Sequence, residues 1–367
     1  MTNFADFKAA IEGISGGKNT VLLDKFGLPS VVVPINKLTY KDVGVGDDTV
    51  LPAFKLDGVE KPYFCIGKYH DTLVNGVPCS LPMQTPAVNV NFDTAVSQSR
   101  SKGEGWTLAT NAMYAAIQLW CRANGFMPRG NNNYGADHAH AWEKGTPANY
   151  DSSGKVNLTL TGSGPVSWNH NNDLTGIADL NGNAWEWATG LRLMDGEIQI
   201  IQHNDAALAT ADLSAASSLW KAIAADGSLV APGSSGTIKL DWRGSKWTLV
   251  TDALTGQSED GHGTGFNALA TTLSAVPQIL YGIGVYPQEP NGDYGGDDVW
   301  AINKGERIPI RGGGWIRHFL RGRVQAVPAR CAFLRQRRRW AAFRFCGFPL
   351  IRGANRKPTD SKPMGRR

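Results

Sequence analysis

The run Asp179-Leu180-Asn181-Gly182-Asn183-Ala184-Trp185-Glu186-Trp187 constrains this chain more than any other stretch. Asn-Gly-Asn is a turn sequence: all three residues tolerate the left-handed backbone region, and the two amides can satisfy nearby main-chain groups. Directly after it, two indoles alternate with a carboxylate, the period-2 pattern of a short strand that sends both indoles into a core. A chain that turns so tightly into so brief a strand builds from short strands and irregular loops rather than long helices. Composition agrees: 43 Gly and 19 Pro in 367 residues demand frequent turns, and 12 Trp in a 42% hydrophobic chain supply a sizeable core. That length fits one large domain with additions, or two domains.

Along the chain, residues 4–12 read as a short amphipathic helix, with strands at 21–23 and 31–34 around the turn Gly27–Pro29. Residues 1–50 are therefore expected to form an N-terminal attachment or assembly extension. Tyr63–Tyr69 reads as a strand, and 91–101 and 110–124 as helices, the second stopped by Gly125. Residues 145–164 read as polar loop. Residues 205–275 look like an insertion with an Ala/Ser/Leu helix near 206–223 and short strands near 237–251. Residues 348–367, rich in Pro, Lys and Arg, read as a basic flexible tail.

Charge is divided unevenly. Residues 300–367 hold 18 Lys and Arg against 2 acids, or +16, while the first 299 carry 19 basic and 30 acidic residues, or −11. Such asymmetry is expected of a surface that meets nucleic acid, a membrane surface or an acidic partner. No apolar run approaches the roughly 20 residues that would span a bilayer, so no membrane insertion is expected. Met1–Gly13 holds Asp6, Lys8 and Glu12 and lacks the apolar core of a secretion signal, which points to synthesis in the cytoplasm without a signal peptide. The five cysteines, Cys65, Cys79, Cys121, Cys331 and Cys346, have no metal-ligand spacing and read as packed thiols, with a Cys331–Cys346 bridge as the weaker alternative. His138 and His140 read as loop histidines. Asp293, Asp297 and Asp298 read as an acidic loop, with a structural Ca²⁺ as the one cofactor left open.

Phe64–Tyr69, Asp179–Trp187 and Arg311-Gly312-Gly313-Gly314-Trp315, in that order, resemble the formylglycine-generating-enzyme type of C-type lectin domain. Phe343-Arg344 after Ala342 looks like that family's closing Gly-Phe-Arg, with Ala in the glycine position. The resemblance implies an α+β, C-type-lectin-like fold over 51–347, carrying the N-terminal extension and the insertion. In it Arg311 would pair with buried carbonyls or with a carboxylate such as Glu186. The family's two oxidising cysteines fall at positions held here by Arg317 and Gly322, so the resemblance does not bring the oxidoreductase activity with it. Glu289-Pro290-Asn291 copies the sugar-binding triplet of calcium-dependent lectins, but its partner strand appears only as Trp168-Asn169-His170, and His is a poor substitute for a hard carboxylate.

What remains resembles the variable proteins of diversity-generating retroelements, which display a hypervariable, adenine-mutagenised stretch on this type of domain. The variable region falls at 311–347, and its ligand-binding surface would comprise Ile316, Arg317, His318, Phe319, Leu320, Arg321, Arg323, Gln325, Arg335, Arg337, Arg338, Arg339 and Trp340. That resemblance implies a non-enzymatic receptor-binding protein whose partner is a protein or glycan on a cell surface. Residues 20–31 look like leaders of phage-borne members, which makes a phage tail or a cell surface the expected location. The alternatives are a formylglycine-type oxidoreductase and an Arg-rich nucleic-acid binder. Arg335–Trp340, with guanidiniums beside an indole, carries the nucleic-acid alternative, which is the weaker expectation.

Overall fold

The computed structural model describes residues 2–315, 331–334, 341–342 and 345–347, the last three stretches and Thr2 by backbone alone. Helix α1 (Thr2–Ile14) is followed by strands β1 (Thr20–Leu23), β2 (Pro29–Asn36) and β3 (Tyr63–Gly67). Helix α2 (Phe92–Ser101), strand β4 (Trp106–Leu108) and helix α3 (Asn111–Ala123) come next. Both inner helices begin where side chains cap them. Asn91 Oδ1 accepts from the Thr94 amide at 2.8 Å, and Thr110 Oγ1 accepts from the Met113 amide at 3.2 Å. Helix α3 ends at Gly125, whose φ of +72° turns the chain away so that the Phe126 amide reaches the Cys121 carbonyl at 2.8 Å.

The second half is mainly strand: β5 (Trp185–Trp187), β6 (Leu191–Met194), β7 (Glu197–Ile201), β8 (Trp220–Ile223), β9 (Lys239–Arg243) and β10 (Lys246–Val250). Then come β11 (His262–Gly265), β12 (Asp298–Ala301), β13 (Glu306–Arg311), β14 (Cys331–Leu334), β15 (Ala341–Ala342) and β16 (Phe345–Gly347). Among the described residues they form two main sheets. The smaller runs β1-β2-β3-β16-β4; the larger has thirteen strands, with β11-β12-β14-β13-β6-β7-β9-β10 along its path. The result is a mixed α+β protein, mostly strands with few helices. Phe54, Phe64, Ile66 and Met113, all fully buried, pack the first sheet against α3. Leu193, Leu240, Trp247 and Leu249 belong to a second core under the larger sheet.

Two readings are corrected. Residues 206–223 are not a helix: a 3-10 turn covers Asp205–Ala207 and β8 begins at Trp220. Short polar side chains take the local backbone instead. Asp212 Oδ1 accepts from the Ser214 amide at 2.9 Å, and the Ser214 carbonyl accepts from Trp220 Nε1 at 3.0 Å. The polar stretch 145–164 contains a hairpin, Pro147–Tyr150 against Val156–Thr159. Within the first 50 residues, β1 and β2 belong to the first sheet. Strand β2 pairs with β3 from Val32↔Gly67 to Asn36↔Tyr63, and Lys102 and Asp24 form an ion pair at 2.9 Å with both side chains fully buried. Residues 205–275 extend the larger sheet: β8 and β9 both pair with β7.

Candidate site at the framework of the Arg-rich segment

Strand β5 lies between β13 and β15. It is antiparallel to the first (Glu186↔Arg311, Trp187↔Ile310) and parallel to the second (Trp185↔Ala341, Glu186↔Ala342). Arg311 is buried. Its Nε donates to Asn111 Oδ1 at 3.0 Å, Nη1 to Gln118 Oε1 at 3.3 Å, and Nη2 to the carbonyls of Ile283 and Gly284 at 3.4 Å each. Arg311 thus meets neutral oxygens, as one of the two expected arrangements required. The carboxylate of Glu186, its neighbour across the sheet, accepts instead from the Tyr114 hydroxyl at 2.8 Å and lies 3.3 Å from His70 Nε2. The turn before β5 forms as its sequence implies. Gly182 and Asn183 have φ of +78° and +63°, and the Asn183 amide exchanges bonds with the Thr159 backbone at 2.8 and 3.1 Å. A Cβ at Gly182 would fall 2.2 Å from the Asn131 carbonyl oxygen, which excludes any larger residue. Trp187 is buried, with Nε1 donating to the Val90 carbonyl at 2.8 Å, whereas Trp185 is only half-buried.

After Arg311 the chain passes from the interior to the edge of the framework within four residues. The Gly312 carbonyl accepts from the Gly182 amide at 2.7 Å; half-buried Trp315 lies 5.9 Å from the Tyr134 ring and its carbonyl accepts from the Tyr134 amide at 3.0 Å. The thirteen residues expected to meet a ligand, Ile316 to Gln325 and Arg335 to Trp340, lie outside the described residues. Their flanks are described. Strand β14 returns antiparallel to β13 (Ile308↔Leu334, Ile310↔Ala332) and parallel to β12 (Val299↔Cys331), and β15 docks on β5. Strand β16 then enters the smaller sheet between β3 and β4.

Beside Trp315 runs a loop that is rigidly bonded. The buried Asp137 accepts from the amides of Ala139 and His140 at 2.9 Å each, and its Oδ1 lies 3.0 Å from His140 Nδ1. Glu143 accepts from Arg129 at 2.6 and 2.9 Å, from Ser167 Oγ at 2.8 Å and from Trp168 Nε1 at 3.2 Å. On this frame Trp142 stands 76% exposed, edge-on to His140 at 5.2 Å. Reading the sequence missed Trp142; a lone Trp inside a polar, His-rich loop was the available signal.

Other candidates serve the framework. His138 Nδ1 lies 3.1 Å from Asn132 Oδ1. His170 Nδ1 accepts from the Ile177 amide at 2.8 Å, and Glu289 pairs with Arg122 at 2.7 Å. Among the described residues no three His, Cys, Asp or Glu side chains converge as metal ligands would, the loop of Asp293, Asp297 and Asp298 included. Cys65, Cys79 and Cys121 are buried, and burial pushes their thiols up to about 12, 11 and 12. The side chains of Cys331 and Cys346 lie outside the described residues, and their backbones belong to different sheets. Among the described residues no helix is long and apolar enough to cross a membrane.

Fold and site together define a mixed α+β protein whose C-terminal strands are threaded through two sheets. No family model and no curated protein matches the chain. Among solved structures it is similar to PvdO from Pseudomonas aeruginosa, at 15% identity over 89% of this chain and 97% of that one, with a TM-score of 0.33.

Proposed function

We propose that this chain is a ligand-binding display protein and not an enzyme. A C-type-lectin-like scaffold of the formylglycine-generating type presents residues 316–340, diversified by a retroelement, to a protein or glycan on a cell surface. A phage tail is the setting that fits best. The observation that carries the reading is the pairing on both sides of each Arg-rich segment. Arg311 and Trp315 are held before the first, β14 separates the two, and β15 docks on β5 after the second. Sequence change between fixed, hydrogen-bonded anchors leaves a scaffold standing, and surfaces of this kind put binding residues on segments held by rigid elements. The segments are also dense in Arg and aromatic residues, the types that most often dominate interface energy.

The oxidoreductase alternative lacks support at the positions that matter. Arg317 and Gly322 stand where the family places its cysteines, and the three described thiols are buried and held in the neutral form. The test is to replace Arg317, Phe319, Arg323, Arg337 and Trp340 together by Ala or Ser, and to measure binding to whole candidate host cells. Loss of saturable binding with a stability loss of no more than about 2.5 kcal/mol is the expected result. Retained binding would overturn the display reading. Binding to arbitrary duplexes that falls steeply with salt would favour the nucleic-acid alternative.

A further inference from the structure

Between α3, the 281–297 loop and the Arg311-Gly312 step lies a cavity of about 70 Å³ that none of the motifs above accounts for. Phe126, Met127, Phe266, Tyr281, Tyr286 and Tyr294 wall it, and Gln118, Asp297 and Arg311 line it too. The walls are organised. Phe266 and Tyr294 meet edge to face at 5.2 Å, Tyr281 and Tyr286 at 6.0 Å, and the guanidinium of Arg122 lies over the Tyr294 ring at 4.2 Å. Phe126, Met127 and Tyr281 are only half-buried, so the mouth is on their side. Burial raises the hydroxyls of Tyr281, Tyr286 and Tyr294 above their ordinary value, which keeps the walls uncharged at neutral pH.

We propose that this cavity is a fixed subsite for one apolar group, a branched aliphatic or single-ring aromatic side chain presented by a protein ligand. The chemistry of the walls selects the class. Aromatic rings and a thioether offer dispersion and edge-to-face contacts to carbon, while polar groups of the lining are engaged within the protein: Tyr114 with Glu186, Arg122 with Glu289, Gln288 with the Val43 carbonyl and the Tyr294 hydroxyl with the Glu289 amide. Arg311 and Asp297 are the buried charged residues of the lining, and Arg311 already donates to Asn111, Gln118 and two carbonyls. Size narrows the choice. A dry apolar cavity of roughly 150 Å³ holds a whole benzene, so a cavity half that size takes a branched aliphatic group, or a ring entering edge first from a surface outside. The position is informative as well, because Gly312 lines the cavity three residues before the Arg-rich segment begins its course beyond Trp315. The cavity stands on its own geometry; that its occupant belongs to a protein rests on the display reading.

The experiment uses the full chain with its methionines ¹³C-methyl labelled, titrated with p-cresol, isobutanol and methyl α-glucoside. Of the six methionines, Met127 lines the cavity, whereas Met83 is 50% exposed elsewhere. Saturable movement of the Met127 methyl by p-cresol and isobutanol, with Met83 still and the glucoside silent, is the expected result. No movement up to the solubility limit overturns the subsite. Equal movement of Met83 overturns it as non-specific, and movement by the glucoside alone overturns the apolar class. A Met127→Trp variant, which fills the mouth, should lose at least tenfold in p-cresol affinity; the wild-type titration decides the matter if that variant does not fold. None of these readouts involves residues 316–340, so the subsite can fail while the display reading stands, and the reverse.

Discussion

At the seam between β5 and β13 the polar side chains are buried and the indole of Trp187 is 6% exposed. In the Asp137–Glu143 loop the two carboxylates are buried too, yet the indole of Trp142 is 76% exposed. Both regions fix their backbone with charge-assisted hydrogen bonds, so neither tryptophan owes its position to slack chain. They differ in what the fixed backbone holds up. The seam turns Trp187 inward against Phe92, with ring centres 5.8 Å apart, and its removal would open a hole. The loop turns Trp142 to solvent, where it meets the His140 ring edge-on and leaves most of its apolar surface uncovered. Burial of polar groups is therefore no guide to which region is scaffold and which is surface; the exposure of the indole beside them is.

Trp187→Ala should break this contrast most forcefully, lowering stability by about 3–5 kcal/mol through the cavity it leaves, as read by chemical denaturation. A loss below about 1 kcal/mol would mean that the seam is not core. The fivefold replacement within 316–340 comes next. At about 0.5 kcal/mol for each exposed site its total should stay within about 2.5 kcal/mol, and a loss equal to that of Trp187→Ala would put those residues in the core and end the display reading.

Comparable in size is a pH effect at the junction of the first 36 residues with the first sheet. The Lys68 ammonium donates to Asn19 Oδ1 at 2.7 Å and to the Leu174 carbonyl, and burial lowers its pKa to about 8 despite the opposing pull of Asp173. The unfolded chain keeps that proton up to about 10.4, so between pH 8 and 10 it binds more protons than the folded one. Stability from this group should therefore rise with pH across that window, by at most about 1.4 kcal/mol per unit. The slope should be absent from Lys68→Met, and equal slopes in the two proteins would show that the ammonium is not buried in solution. Least of all, Trp142→Ala should change stability by no more than about 0.5 kcal/mol. It should nonetheless weaken cell binding, and unchanged binding would reduce the loop to ordinary surface.

The helices at 92–101 and 111–123 were legible because their stop and start signals are local: Asn91, Thr110 and Gly125 act within one turn of themselves. The Asn181–Asn183 turn was legible for the same reason. Residues 206–223 misled because Ala, Ser and Leu read as helix formers, while the decisive contacts are distant. Arg192 donates to the Ala215 carbonyl at 2.9 Å and β8 pairs with β7. The partner of Arg311 was half legible: carbonyl or carboxylate could be foreseen, but not that Asn111, two hundred residues earlier, would be the closest acceptor. The apolar cavity was invisible for this reason too, since its walls come from α3 and from a loop more than 140 residues further on.

The last strand has a consequence for how the chain is made. Strand β16 sits between β3 and β4, with Cys346↔Ile66 on one side and Cys346↔Thr107 on the other. During synthesis those two strands must wait, edges open, until residue 347 has been made. A stop codon or frameshift in the codons for 311–344 that removes β16 leaves this sheet without the strand that joins β3 to β4, and the edges it would cover invite aggregation or proteolysis. Folding thereby proofreads the reading frame: a chain that closes its first sheet has been translated in frame through the whole Arg-rich segment.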